Sequence, residues 1–171
     1  MKLYKSEGHG KPDLGKISRV GKNVVIEDGV RIFHPENLEI GDNVYIGHDT
    51  IIKAYYKDKI VIGSNVWIGQ GCFIHGAGGI EIGDFVGIGP GVKMHAAYHE
   101  DTGRETPIIF QDISFSKIII EEDVNIGIGA IVMNGVTIRK GSKVGAGAVV
   151  TRTFPEYSVM AGVPARVMRV R

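Results

Sequence analysis

"IGDFVGIGPGVKMHAAYHEDTG", residues 82–103, begins on a strict beat and then drops it. Ile82, Ile88 and Met94 lie six apart, and Gly83 and Gly89 follow the first two. Past Met94 the beat fails, and His95 and His99 stand where it fails. The same beat organises the rest of the chain. Apolar residues recur at 20, 26, 32 and 38, at 40, 46 and 52, at 60, 62, 68, 74 and 80, at 82, 88 and 94, and then at 120, 126, 132, 138, 144 and 150. A step of six fits neither the helical period nor the alternation of a simple strand. It predicts a short strand, a turn eased by glycine, and repetition of both. Three such strands close a triangular coil of about 18 residues, and coils stacked at the sheet spacing of roughly 4.8 Å bury a common Ile/Val/Leu column. The expected fold is therefore all-β, a parallel β-helix of about six coils starting at 20, 40, 62, 82, 120 and 138. The longer steps at 38–40, 60–62 and 80–82 are expected to form small bulges at corners. Hairpin signals at the spacing of a β-sandwich are absent.

Composition narrows the function. With 171 residues and 43% hydrophobic content, one domain with a sizeable core is expected, residues 20–171 forming the β-helix and 1–19 an N-terminal extension. Net charge of +1 gives no cue for nucleic acid or membrane, and no apolar run reaches the length of a span. The single cysteine, Cys72, fits a reducing compartment, and the start "MKLYKSEGHGKPDLG" has no apolar leader segment, so a cytoplasmic protein is expected. The near-neutral total hides an asymmetry. From Val124 to Arg171 seven basic residues face one acid, Glu156, a net +6, while residues 1–123 carry −5. A basic half suggests an anionic ligand, although solvated surface charge would look the same.

"IGSNVWIGQGCFI", "IGDFVGIGPGVKM" and "VNIGIGAIVMNGVTIRKGSKVGAGAVVT" resemble the hexapeptide repeats of left-handed β-helix acyltransferases. The closing "VMAGVPARVMR" resembles the C-terminal signature of the galactoside, maltose and xenobiotic acetyltransferase branch. The left hand comes from that resemblance, because crossovers between parallel strands are normally right-handed. The break in the beat gains meaning too. From about 95 to 117 a long loop is extruded, and loops of this length in a compact fold are usually functional. The resemblance implies that it reaches over a neighbouring subunit of a homotrimer with active sites between subunits. Phe110, Ile113 and Phe115 are candidate anchors for that interface.

His99 falls where the resemblance places a catalytic histidine. Acetyl transfer from a thioester to a hydroxyl or amine requires removal of a proton, and a neutral imidazole suits that task near pH 7. The donor would be acetyl-CoA. Ala146 matches a family contact to the pantetheine arm, Thr151 and Arg152 match a Thr-Lys pair near the nucleotide, and Arg169 matches an arginine that reaches a phosphate. Ile128 stands where the family often has serine, so a side-chain hydrogen bond to the donor is missing there. On the acceptor side, Gly69 and Ala77 replace the asparagine and aspartate of galactoside enzymes, while the aromatic Trp67 is retained in kind. Galactoside specificity is therefore not expected. Gln70, His75, His95, Tyr98, Asp101 and Arg104 are candidates to line a different pocket, or are plain surface. His75 and His95 occupy the same place in successive coils, after Phe33 and Lys53, and form a polar ladder.

The expected activity is acetyl transfer to a sugar, a sugar nucleotide or a polysaccharide precursor, on oxygen or nitrogen, with no metal. An alternative is a metal-dependent hydratase of the γ-carbonic anhydrase type, which would need His75, His95 and His99 as ligands. A β-helix without activity leaves His99, the loop and the basic half unexplained.

Overall fold

The computed structural model describes residues 8–55 and 57–171. Its strands form three parallel sheets, which are the three faces of a left-handed β-helix. The first face stacks Arg19–Val20, Leu38–Ile40, Ile60–Ile62, Ile80–Ile82, Ile118–Ile120 and Thr137–Ile138. The second runs from Val25–Ile26 through Tyr45–Ile46, Trp67–Ile68, Gly87–Ile88, Asn125–Ile126 and Lys143–Val144 to Ser158–Ala161. The third stacks Arg31–Phe33, Ile51–Lys53, Phe73–His75, Lys93–His95, Ile131–Met133 and Val149–Val150. Six full coils result, and Ser158–Ala161 opens a seventh. The strand Arg166–Val170 turns back antiparallel on it and ends the second face.

The core is columnar. Ile46, Ile68, Ile88, Ile126, Val144 and Met160 stack from the second face, and Ile32, Ile52, Ile74, Met94, Val132 and Val150 from the third, all buried. Full burial of one such side chain contributes about 1.5–3 kcal/mol, so register is strongly specified. The longer steps do not produce corner bulges. They lengthen the first-face strands, so that Leu38 and Ile40, Ile60 and Ile62, and Ile80 and Ile82 each place two residues in the core. Ile118 and Ile120 continue the pair.

The glycines after the core isoleucines have a different role from turn-easing. A Cβ on Gly127 would lie 2.6 Å from the backbone nitrogen of Ala146, and one on Gly63 would lie 2.8 Å from the carbonyl carbon of Gly83. The coil beneath excludes any side chain there. The left-handed backbone that glycine favours occurs instead at another corner position, as at Gly91 and Gly129, both with φ of 67°.

Residues 8–18 close the N-terminal end. Ile17 is buried, the Gly10 carbonyl accepts from Ile32 N–H at 2.7 Å, and Asp13 caps a short 3-10 turn, Leu14–Lys16. Among the described residues no helix is long and apolar enough to cross a membrane.

Candidate active site

The interruption is an ordered hairpin. His95 completes the third-face strand Lys93–His95, so the extruded segment begins one residue later than expected, at Ala96. Ala97–His99 then pairs antiparallel with Ile113–Phe115, with His99 opposite Ile113. The Glu100 N–H donates to the Asp112 carbonyl at 2.8 Å and extends the ladder. Gln111 organises the tip. Its side-chain oxygen accepts from the Thr102 N–H (2.7 Å) and hydroxyl, and its amide nitrogen donates to the carbonyls of Gly103 and Thr106.

His99 is thus carried on a strand rather than on an irregular loop. It is exposed and makes no hydrogen bond or ion pair to the described residues. A cavity of about 480 Å³ opens beside it. One wall is the third face, with Tyr55, His75, Ala77 and His95, and the other is the hairpin, with Ala97, Tyr98, His99, Ile113 and Phe115. A second concavity lies between His99, Lys57 and the hairpin residues Ile109 to Ile113. The predicted ladder is present. Phe33, Lys53, His75, His95 and Met133 are paired in register, and the His75 and His95 rings stand 4.5 Å apart at 59°. Desolvation holds the His95 imidazole below its ordinary pKa.

Other predicted residues lie apart from this cavity. Trp67 belongs to the second face, where its ring stacks on Tyr45 at 5.9 Å and 5°. Asp101 and Arg104 are exposed on the hairpin beyond the cavity lining. Gln70 sits at the corner between second and third faces, in one column with Pro90, Ile128 and Ala146, as the packing of Gly47, Gly69, Gly89 and Gly127 shows. Ile113 and Phe115 line the cavity of their own chain, whereas Ile108, Ile109 and Phe110 project with more than half their surface exposed. Sequence reading missed Tyr55, whose hydroxyl lies 3.2 Å from His75 Nε2. Tyr55 lies two residues past Lys53, the strand partner of His75, and that placement was the available signal.

The donor-side candidates gather at the C-terminal end. Ala146 is exposed, and neither its backbone N–H nor that of Ile128 is bonded to another described residue. These amides suit the carbonyl groups of a pantetheine arm. Thr151 and Arg152 follow the last third-face strand, and Arg169 lies on the strand that ends the second face. The Arg152 guanidinium stands 5.2 Å over the Phe154 ring, and Arg169 donates to the Val170 carbonyl. Neither forms an ion pair with the described residues, so both are open to phosphate oxygens. Among the described residues no group of three or more His, Cys, Asp or Glu within the chain is disposed to hold a metal ion.

A family profile described as the hexapeptide repeat of succinyl-transferase matches residues 117–152. A probable acetyltransferase of Mycobacterium tuberculosis is 32% identical over 166 residues, which are 96% of this chain and 48% of that protein. The 2,3,4,5-tetrahydropyridine-2,6-dicarboxylate N-acetyltransferase of Staphylococcus aureus is 41% identical over 71 residues, 42% of this chain and 30% of the enzyme. The chain thus spans about half the length or less of these curated relatives. Among solved structures, the N-acyltransferase AntD of Bacillus cereus, in complex with dTDP-4-amino-4,6-dideoxyglucose and coenzyme A, superposes with a TM-score of 0.81 at 29% identity, covering 91% of this chain and 84% of that one. A maltose O-acetyltransferase of Clostridium difficile superposes with a TM-score of 0.63 at 28% identity, covering 91% and 71%. Coiled architecture, repeats and relatives agree: the chain belongs to the hexapeptide-repeat acetyltransferase family.

Proposed function

We propose that the protein is an acetyl-CoA-dependent acetyltransferase that acts on a sugar or sugar nucleotide as a cytoplasmic homotrimer, with His99 as general base. The observation that carries this reading is the placement of His99. Its imidazole stands on a hydrogen-bonded hairpin at a cavity large enough for a sugar, with no hydrogen bond to a described residue to divert it. Similarity to an enzyme solved with an amino-sugar nucleotide and coenzyme A, and to a maltose O-acetyltransferase, supports the substrate class. Ala146, Ile128, Thr151, Arg152 and Arg169 would hold the donor, which supplies an activated acetyl group as its thioester.

In this mechanism His99 takes the proton from the acceptor hydroxyl or amine as that atom bonds to the acetyl carbon. The imidazolium then returns the proton to the departing thiolate as the carbon–sulfur bond breaks. No acyl-enzyme is needed, since the one cysteine, Cys72, is buried in the coil and its thiol is raised in pKa by desolvation. The trimer supplies what the monomer lacks, a cover for Ile108, Ile109 and Phe110.

The test is a screen of sugars and sugar nucleotides with acetyl-CoA, read by thiol release, followed by His99→Ala on the acceptor found. The variant should lose about 10²–10⁴ in kcat/KM with acetyl-CoA affinity unchanged. Full activity would remove His99 from the chemistry.

A further inference from the structure

The wall opposite the hairpin has an internal order that the proton-transfer role of His99 does not use. Tyr55 lies edge-on to His75, with ring centroids 5.3 Å apart, and its hydroxyl reaches His75 Nε2 at 3.2 Å. That hydroxyl has no other hydrogen-bonding partner among the described residues, and which way the bond runs follows the tautomer of His75. A neutral ring that accepts at Nε2 carries its own proton on Nδ1. Two further features oppose a charge on this pair. The His95 ring is 4.5 Å away, so a second imidazolium would meet the first at close range. The Lys53 ammonium stands 5.0 Å from the Tyr55 ring, and Lys53 is the strand neighbour of His75. Among the described residues the titratable groups around the pair include Tyr55, Lys53 and His34 from the coil side, Lys57 over the Phe115 ring, and Tyr98 and His99 from the hairpin. Glu36 is engaged with His34, at 3.2 Å, and among the described residues no carboxylate lines the cavity.

We propose that Tyr55 is a positioning residue for the acceptor: it fixes the proton of His75 on Nδ1 and keeps the stacked His75–His95 pair an uncharged wall that receives the hydroxyl-bearing face of a sugar. This rests on the reading of the cavity as the acceptor site. An uncharged wall without carboxylates favours the part of the acceptor that enters as neutral hydroxyls. A protonated amine would find only imidazoles and phenols there. His95, kept neutral by desolvation, is consistent with this.

The proposal separates from a merely structural role through Tyr55→Phe, which keeps the ring and removes the hydroxyl. Nitrogen-15 NMR of the histidine rings in wild type should show His75 protonated at Nδ1. In Tyr55→Phe it should show a mixture of tautomers and a protonation midpoint moved to higher pH. For the acceptor identified by thiol release, KM should rise about 3- to 30-fold, the order of one lost hydrogen bond in a half-buried site, while KM for acetyl-CoA and the melting temperature stay close to wild type. An unchanged tautomer and titration in Tyr55→Phe would overturn the proton assignment, and an unchanged acceptor KM would overturn the positioning role. The reading beneath it fails differently. A wild-type protein that acetylates no sugar, yet shows the tautomer shift, loses its assigned substrate class and retains the Tyr55–His75 assignment.

Discussion

Ile80 and Ile108 are the same residue type in one chain, and their fates are opposite. Ile80 is fully buried between Ile60 and Ile118 of the neighbouring coils, whereas Ile108 is 57% exposed on the hairpin. The coil gains stability from repetition, each rung supplying the lid for the rung before it. The hairpin has no rung above or below, so Ile108, Ile109 and Phe110 face outward and its shape is held by polar bonds, those of Gln111 above all. Stability therefore lives in the columns, and the proposed chemistry lies where a column is interrupted. Substitutions in the two regions should separate along that line.

The sharpest separation is expected at Gly127. A side chain there drives into the backbone of Ala146, so Gly127→Val should cost about 3 kcal/mol and lower the melting temperature by roughly 10 °C. A variant that melts like wild type would mean that the coils can slide apart without penalty. On the hairpin the effect should run the other way. Ile109→Ser with Phe110→Ser leaves every core column intact, and the melting of the coils should change little. Light scattering should report a smaller particle than the proposed trimer, with activity reduced about tenfold or more, as for loss of an apolar anchor. Unchanged mass and rate would show that the exposed strip has no partner.

Between these lies the basic end. Arg152→Ala or Arg169→Ala should raise KM for acetyl-CoA about 3- to 30-fold with kcat little changed, because charges far from the thioester bind ground and transition states alike. The loss should shrink as salt screens the contact in the parent. A fall in kcat alone would place these residues in the chemical step.

Two smaller effects concern charge on the coil wall. Desolvation depresses the His95 pKa in the fold, so on acidification the unfolded chain takes up this proton first and stability falls. The contribution is complete above the ordinary histidine value near 6.5 and is lost below it. Wild type should lose more melting temperature than His95→Gln between about pH 7.5 and pH 5, and parallel curves would show an imidazole that already sits in water. Smallest of all should be Lys117→Met. Lys117 bridges Asp58 at 2.9 Å and Glu81 at 2.7 Å on partly exposed surface, a pair of contacts worth about 0.2–1 kcal/mol. A loss several times larger would mean that the bridge is shielded from solvent by a neighbouring subunit.

Coil number, core columns and the point where the rhythm stops were all legible in the sequence, because a period of six is a local property that survives from rung to rung. So was the Phe33–Lys53–His75–His95 ladder, since stacking preserves the place within a hexad. The glycine rule was misread. Sequence shows that a glycine follows many of the core isoleucines but not whether a turn or a neighbour demands it, and the crowding answers that, since a Cβ on Gly127 would lie 2.6 Å from the Ala146 backbone nitrogen. Trp67 and Gln70, candidates for the acceptor pocket, lie on another face and another corner from His99 in the same chain, since spacing along a coil fixes a height on the solenoid and not a side of a pocket.

By itself, then, the sequence determined what repetition determines: which residues point inward, where each coil begins, where the rhythm stops, and that the C-terminal end is basic. Tertiary structure decided what breaks in the rhythm become. It folded residues 97–115 into a hairpin, brought Tyr55 to His75, and set two walls around one cavity. The physical reason is that periodic burial propagates through identical neighbour contacts. An aperiodic segment takes its shape from particular side chains such as Gln111, whose partners lie five to nine residues away and carry no period.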